Sequence, residues 1–145
     1  MSAPISVSVR ARVVAVALLA LSSGCMTSPE PRVAALTDSQ RGATGSAVLR
    51  DGTRRSGELL AVQDSSLLVL VDGRVAVLPF AELVAVDWGE FSSRDFTPSM
   101  GAASDMRERG RAASRFAFGL PAPALSALLA RLGQTSADTV RAVRR

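Results

Sequence analysis

The chain contains no histidine, lysine, tyrosine or asparagine, and its one cysteine is Cys25. Without histidine it lacks the usual general base at neutral pH, and without lysine and tyrosine most nucleophile–base pairs cannot be built. Zinc sites need clusters of histidine or cysteine, and a disulfide within the chain needs a second cysteine. We therefore expect a protein that is not an enzyme and that holds no metal and no cofactor.

Basic residues are all arginine, 17 of them against 13 acids, which leaves a net charge of only +4. This charge is unevenly distributed. Residues 45–91 have four arginines against seven acids, whereas residues 92–145 have nine arginines against four acids. We expect the acidic centre to dock the basic C-terminal segment of its own chain. The alternative is a basic segment that binds an external anion.

Residues 10–25 have the order of a bacterial export signal. Arg10 and Arg12 precede an uncharged apolar run at 13–21 (VVAVALLAL). This run is far shorter than the roughly 20 residues of a membrane-spanning helix and fits the core of a signal peptide. Small residues then occupy positions 22–24, directly before Cys25. Signal peptidases require small residues at this point, so we predict a signal peptide over residues 1–24.

Leu21-Ser22-Ser23-Gly24-Cys25 resembles the lipobox of bacterial lipoproteins. The resemblance implies cleavage between Gly24 and Cys25, a diacylglycerol on the Cys25 sulfur, and usually acylation of the new amino group. Ser22 departs from the leucine usual at its position. An ordinary secretory leader is the alternative.

Met26 follows the cysteine, where lipoproteins retained in the inner membrane often carry aspartate. The resemblance therefore implies the periplasmic face of the outer membrane rather than the inner membrane. Residues 25–44 have prolines, serines and threonines and little periodicity, which predicts a lipidated N-terminus and a flexible tether with a reach of roughly 25 Å.

Residues 45–91 have the sequence pattern of a small β domain. Asp51-Gly52 and Asp72-Gly73 are turn signals, Pro79 ends a strand, and residues 80–82 are long enough for one tight turn. We predict strands at 46–50, 55–62, 66–71, 75–78 and 83–88. Five short strands without crossover helices are typical of a strongly bent antiparallel barrel.

Gly57-Glu58-Leu59-Leu60-Ala61-Val62, followed by Leu68-Val69-Leu70, is similar to the first half of an Sm-like barrel. Residues 77–86 are similar to the strand, one-turn 3₁₀ helix and strand that close Sm-like and SH3-like barrels. The family's RNA-binding residues do not carry over, because Gln63 and Leu67 stand where it has Asp and Asn. The fold resemblance nevertheless leaves an alternative function, namely nucleic-acid binding by a protein that starts at Met26.

The second and third predicted strands are apolar on both faces, so their outer face needs a cover. The C-terminal helix or a second copy of the barrel could supply it. Leucines at helical spacing predict that helix over 123–133, with Gly133 as its C-cap. We predict a loop at 89–101, a loose helix at 102–115 interrupted by Gly110, and an extended piece around 139–140. The fold class is mainly β with a C-terminal helix (α+β), and residues 92–145 form a loop and helical segment.

Arg107, Arg111 and Arg115 recur at i, i+4 and i+8, which places them on one face of the predicted helix. Arginine forks suit phosphates and carboxylates, so this face is the candidate anion-binding site. The alternative is a face that is solvated or docked on the barrel. Trp88 and Phe91 are expected in the core or against a helix.

These features together predict a lipid-anchored protein of the cell envelope that acts as a non-catalytic interaction or structural module. Its expected partners are the membrane, through the lipid on Cys25, and a protein partner or a second copy of itself. Nucleic acid is an expected partner only under the alternative function.

Overall fold

The computed structural model describes residues 41–143, which form a mixed α+β fold. A seven-stranded, partly open sheet carries three helices. In chain order the elements are β1 (Thr44–Leu49), β2 (Arg54–Val62), β3 (Ser66–Val71), β4 (Arg74–Pro79), a 3₁₀ helix (Phe80–Glu82), β5 (Leu83–Trp88), β6 (Phe91–Ser93), α1 (Pro98–Ala102), α2 (Ser104–Ala113), α3 (Ala122–Arg131) and β7 (Asp138–Thr139).

The strands follow the order β6-β5-β1-β2-β3-β4-β7, so that β5 lies beside β1. Every pair is antiparallel except β4 with β7. The two edge strands contain only three and two residues. Short edge strands leave few unpaired backbone groups, which limits the template for edge-to-edge association.

The turns follow the sequence closely. Asp72 and Gly73 both have positive φ, 50° and 75°, which is the backbone of a two-residue type I′ hairpin. Pro79 ends β4, and the 3₁₀ helix follows it directly. The predicted hairpin, strand end and tight turn are therefore confirmed.

Strand β2 runs very close to β3 at Gly57. A Cβ at Gly57 would overlap the carbonyl oxygen of Leu70 on β3, so only glycine allows this close approach. The β2–β3 register then shifts between Leu59 and Ala61, as at a β-bulge. Bulges increase the local twist of a strand and help it curl over a core.

The predicted loop at 89–101 is wrong in two places. Gly89, at φ 64°, turns the chain so that β6 pairs with β5, and the ring of Phe91 is buried. Helix α1 then begins at Pro98, with the Thr97 hydroxyl accepting a hydrogen bond from the Met100 amide at 3.3 Å. Serine and proline indicate loops by composition, but here Ser92 and Ser93 belong to a short strand, and Pro98 begins a helix that Thr97 caps.

Gly110 does not interrupt the helix that contains it, contrary to the prediction. Helix α2 runs without a break from Ser104 to Ala113. A Cβ at Gly110 would lie 2.7 Å from Cγ2 of Val62 and 3.2 Å from the ring of Phe91. The glycine therefore serves close packing between α2 and the sheet rather than a break in the helix.

Two apolar clusters lie on the two faces of the sheet. The larger cluster contains the aromatic rings of Phe80, Trp88, Phe91 and Phe96, together with Met106 of α2. The predicted core position of Trp88 and Phe91 is thus confirmed. The second cluster joins outer-face residues of β2, β3 and β4 to side chains of α3 and to the leucine two residues before it, namely Leu60, Ala61, Leu68, Val75, Leu120, Ala124, Leu128 and Leu129.

The C-terminal helix therefore covers the second apolar face, as one of the two predicted alternatives required. This helix ends at Arg131, and Gly133, with φ 70°, forms its C-terminal cap. The Gln134 amide binds the Leu129 carbonyl and the Gly133 amide binds the Ala130 carbonyl, which is the Schellman pattern. Within residues 41–143, none of the helices has the length and apolar character needed to cross a membrane.

Candidate functional site

Gly24 and Cys25, the predicted cleavage and lipidation residues, lie outside the described residues. Their roles stay predictions. The structure describes the chain that follows them from Arg41 onwards. We call residues 41–43 and 111–119, together with Glu58, the N-terminal corner.

The predicted arginine face contains only two of its three members. Helix α2 includes Arg107 and Arg111, but it ends at Ala113, and Ser114 leaves the helix with an extended backbone. The Ser114 amide and hydroxyl both bind the Arg111 carbonyl, which closes the last turn before Arg115. The prediction that Arg115 continues the helical face is therefore wrong.

Arg107 pairs with a residue of its own chain. Its guanidinium donates to the Asp64 carboxylate at 2.9 Å and to the Asp64 carbonyl at 2.9 Å. The Arg107 side chain is 24% exposed, whereas that of Asp64 is 95% exposed. This contact ties α2 to the turn between β2 and β3.

Arg115 forms the most buried ion pair of the described residues. Its Nε and Nη2 donate to the two carboxylate oxygens of Glu58 at 2.7 and 2.8 Å. The two side chains are only 17% and 13% exposed. Glu58 also accepts a hydrogen bond from the Gly42 amide at 2.7 Å. One carboxylate on β2 therefore holds both the incoming chain and the segment that follows α2.

Main-chain hydrogen bonds complete the N-terminal corner. The Ala43 amide donates to the Ala113 carbonyl at 2.7 Å, and the Leu59 amide donates to the Ala43 carbonyl at 3.0 Å. The Arg115 amide in turn binds the Leu59 carbonyl. A Cβ at Gly42 would overlap that carbonyl oxygen and lie 2.7 Å from the Arg115 nitrogen. Glycine is therefore required for the three segments to meet.

Arg111 differs from the other two predicted arginines. It is exposed, and within residues 41–143 it forms no ion pair with a carboxylate. Anion binding by this arginine stays a prediction, whereas Arg107 and Arg115 already hold carboxylates of their own chain.

The chain leaves the sheet at the opposite end of β1 through residues 138–143, which we call the C-terminal strap. The Val143 amide donates to the Asp51 carboxylate at 2.8 Å, and the Ala142 amide to that of Glu82 at 3.2 Å. The hydrogen bond from Val143 is the main cause that holds the pKa of Asp51 below its usual range. A shallow cleft of about 400 Å³ lies here, and its carboxylates are taken up by main-chain amides.

Arg74 and Asp138 fasten the start of the strap on the surface. The guanidinium donates to the carboxylate at 2.8 Å, and this bond lowers the pKa of Asp138 and raises that of Arg74. Nearby, the buried Gln134 side chain bonds both the amide and the carbonyl of Val75 on β4. The side-chain amide of Gln134 thus binds the two backbone groups of Val75 that a neighbouring strand would otherwise bind.

Sequence reasoning missed Glu58 and Gln134 as positioning residues. Glu58 had a usable signal, because a charged side chain at the start of an apolar strand is seldom buried unless it is paired. Glu58 stands between Gly57 and the apolar stretch 59–62, and Gln134 directly follows the glycine cap of α3. Their partners lie 57 and 59 residues away along the chain, so spacing alone does not reveal them.

The N-terminal corner can bind and position chain segments, and it presents one exposed arginine of α2. In the part of the chain that the structure describes, there is no group of three or more histidine, cysteine or acidic side chains that could hold a metal ion. No family model, no curated protein and no solved structure matches the chain.

Proposed function

We propose that the protein is a lipid-anchored protein of the bacterial envelope whose folded domain acts as a non-catalytic interaction or structural module. The observation that carries the proposal is the sequence at 10–25, in which a basic, apolar and small-residue order ends at the chain's one cysteine. Two or more acyl chains on Cys25 would give stable membrane attachment, because each buried methylene contributes about 0.8 kcal/mol.

The start of the fold is compatible with such an anchor. Sixteen residues separate Cys25 from Gly42, and a fully extended chain of this length spans at most about 60 Å. Near the start of the described residues, the Gly42 amide is bound by the domain through Glu58. The anchor would therefore keep the domain close to the membrane and attach it at a defined corner.

Within this proposal, strands β1–β5 form a small barrel of the Sm-like or SH3-like kind. Three observations support it: β5 pairs with β1, a one-turn 3₁₀ helix joins β4 to β5, and the β2–β3 register shifts between Leu59 and Ala61 as at a β-bulge. The short strand β6 and the two-residue strand β7 extend this unit at its edges. Comparison of backbone coordinates from an experimental structure with barrels of both kinds tests this part.

The structural part of this role is supported by how the charged side chains are used. Arg107 and Arg115 bind Asp64 and Glu58, and Arg74 binds Asp138. In each pair the groups join segments that are distant in sequence. Their arrangement serves to fasten segments of the chain, and surface residues are left to contact a partner protein or a second copy.

The test uses the full chain expressed in a Gram-negative host. We expect a mature protein that begins at Cys25, carries the mass of the attached lipid, and sediments with the outer membrane. Cys25→Ala should accumulate as unprocessed precursor, whereas Ser28→Ala, three residues further on, should behave as the wild type. Mass spectrometry of the N-terminus and gradient fractionation of membranes provide the measurements.

A wild-type protein of unprocessed size in the soluble fraction would overturn the lipid anchor. A soluble product that begins at Met26 and binds RNA with strong salt dependence would instead support the Sm-like nucleic-acid-binding alternative.

A further inference from the structure

Phe118 is a large apolar side chain that lies fully exposed on the surface of the domain. Among the described residues, the only other exposed large apolar side chain is Val143. The remaining phenylalanines are buried or partly buried against the two clusters. A single exposed aromatic residue is common on protein surfaces, so its setting decides what it can do.

A turn that is fixed on both sides presents Phe118. The Gly119 amide donates to the Phe116 carbonyl at 2.9 Å, which makes residues 116–119 a β-turn with Phe118 at its third position. Before the turn, the Phe116 amide binds the Leu60 carbonyl of β2, and after it Leu120 is buried under α3. The phenyl ring is therefore held outward by a backbone that the sheet positions.

This turn lies close to the first residues that the structure describes, which follow Cys25 in the chain. The Gly42 backbone approaches the Arg115 nitrogen so closely that a Cβ would lie 2.7 Å from it. Phe118 follows Arg115 by three residues. A lipid on Cys25 would thus attach the domain to the membrane at the corner that carries the exposed ring.

The charge of the N-terminal corner suits a surface with anionic phosphates. Residues 41–43 and 111–119 contain three arginines and no acid, and Glu58 is the one carboxylate bound to them. Arg41 and Arg111 are exposed, and within residues 41–143 neither forms an ion pair. Exposed arginines and an exposed aromatic ring within the same few segments have the composition of interfacial membrane contacts.

We propose that the N-terminal corner docks on the lipid surface, with the Phe118 ring in the interfacial layer and Arg41 and Arg111 on lipid phosphates. This inference rests on the proposed anchor and adds an orientation to it. One ring and two arginines would bind a vesicle weakly on their own. A covalent tether raises the effective concentration of the corner at the membrane, so that a weak contact is sufficient.

The experiment uses the full chain, purified as expressed and reconstituted into vesicles of phosphatidylethanolamine and phosphatidylglycerol. Phe118→Trp introduces an indole at the turn, and Val143→Trp introduces a matched exposed indole on the C-terminal strap. The wild type gives the background emission of Trp88, which is buried. Emission is recorded in ordinary vesicles and in vesicles that contain brominated lipid, which quenches indoles located in the membrane.

We expect Phe118→Trp to show a blue-shifted emission that is partly lost in brominated vesicles, while Val143→Trp and the wild type change little. When Arg41→Glu and Arg111→Glu are added to Phe118→Trp, the brominated lipid should no longer quench the emission of the introduced indole. Equal quenching of the two introduced indoles, or none in either, would overturn the docking. A blue shift without quenching would also overturn it, because the ring would then be buried against protein.

Flotation of the same vesicles separates this inference from the anchor on which it rests. Protein that floats with the vesicles while the Phe118→Trp emission stays unquenched leaves the anchor intact and removes only the docking. Protein that does not float removes the anchor and the docking together.

Discussion

The N-terminal corner and the C-terminal strap fasten the two ends of the domain with the same kinds of groups but in different surroundings. At the corner, Glu58 and Arg115 are 13% and 17% exposed. At the strap, Arg74 and Asp138 are 57% and 49% exposed. Solvent screens an exposed pair, so it contributes little. When one partner of a buried pair is removed, the other charge is left without compensation and the cost is large.

This difference predicts that the two ends open at different free energies. The corner joins three segments, β2, the incoming chain and the segment after α2, around one carboxylate. Its opening should require unfolding of the whole domain. The strap adds a two-residue parallel strand at one edge and two amide–carboxylate bonds. A segment with so few buried contacts can open locally while the rest stays folded.

The largest expected effect comes from removing the buried carboxylate. Glu58→Ala leaves the Arg115 guanidinium and the Gly42 amide without their acceptor, and should lower the free energy of unfolding by about 3 kcal/mol. Urea denaturation followed by circular dichroism measures the loss. Asp64→Ala is the matched control, because it removes the exposed carboxylate bound to Arg107.

A loss for Glu58→Ala no larger than for Asp64→Ala would show that burial does not distinguish these two pairs. If Glu58→Ala does not fold at all, Glu58→Gln provides a milder test. It keeps one acceptor oxygen, which the Gly42 amide can bind, but it removes the charge and one of the two acceptors of the Arg115 guanidinium.

The second-largest expected effect concerns Gln134, whose buried side chain binds β4 near the strap. Gln134→Ala leaves the amide and carbonyl of Val75 without partners on the outer side of β4, which should cost about 2 kcal/mol. The same denaturation experiment measures it. Gln63→Ala, which removes a hydrogen bond to the Ser66 hydroxyl only, serves as control and should cost clearly less.

The structure would be contradicted if Gln134→Ala were as mild as Gln63→Ala. In that case water replaces the amide at β4, and the whole C-terminal end would be as loosely held as the strap itself.

Local sequence signals were sufficient for the parts of the fold that local chemistry controls. Asp72-Gly73 predicted its hairpin because both positions need positive φ, and the leucines from 125 to 132 predicted the helix that covers the second face. Both are confirmed. Strand β6 was missed because only three residues pair, and only Phe91 marks its apolar side.

The N-terminal corner could not be predicted in the same way. Helical spacing placed Arg115 with Arg107 and Arg111, but Ser114 ends the helix and turns Arg115 towards β2. The energy of a buried carboxylate, which depends on tertiary packing, decides that position more than the helical repeat does. The predicted chemistry of Cys25 concerns residues outside the described part of the chain.

The third prediction concerns the exposed pair at the strap. Arg74→Ala should leave the free energy of unfolding unchanged within error, since both partners are largely solvated. It should nevertheless speed hydrogen exchange at the Val140 amide, which binds the Val77 carbonyl next to β7. Arg54→Ala, which removes a surface bond to the Ser46 hydroxyl, is the control and should leave that amide unaffected. A clear loss of global stability in Arg74→Ala would mean that the strap unfolds with the domain.

The smallest expected effect is a difference between the two ends of the domain in their response to acid. Hydrogen bonds from Val143 and Arg74 hold the pKa values of Asp51 and Asp138 below their usual range. A lowered pKa means that stabilisation is present above the unfolded value, about 4, and is lost as the pH falls through the folded value. We therefore expect NMR signals of the Val143 amide to stay constant from pH 7 to 5 and to shift below pH 4.

The Val75 amide, bound by the uncharged side chain of Gln134, should not follow that titration. Asp51→Asn should abolish the shift at Val143 while leaving the amide at Gly42 unchanged, because the latter lies at the other end of β1. A shift of Val143 and Val75 together would show that acid loosens the whole edge of the sheet. A shift of Val143 alone would show that the strap is released while β4 and the N-terminal corner remain in place, which is the behaviour expected of a surface fastening.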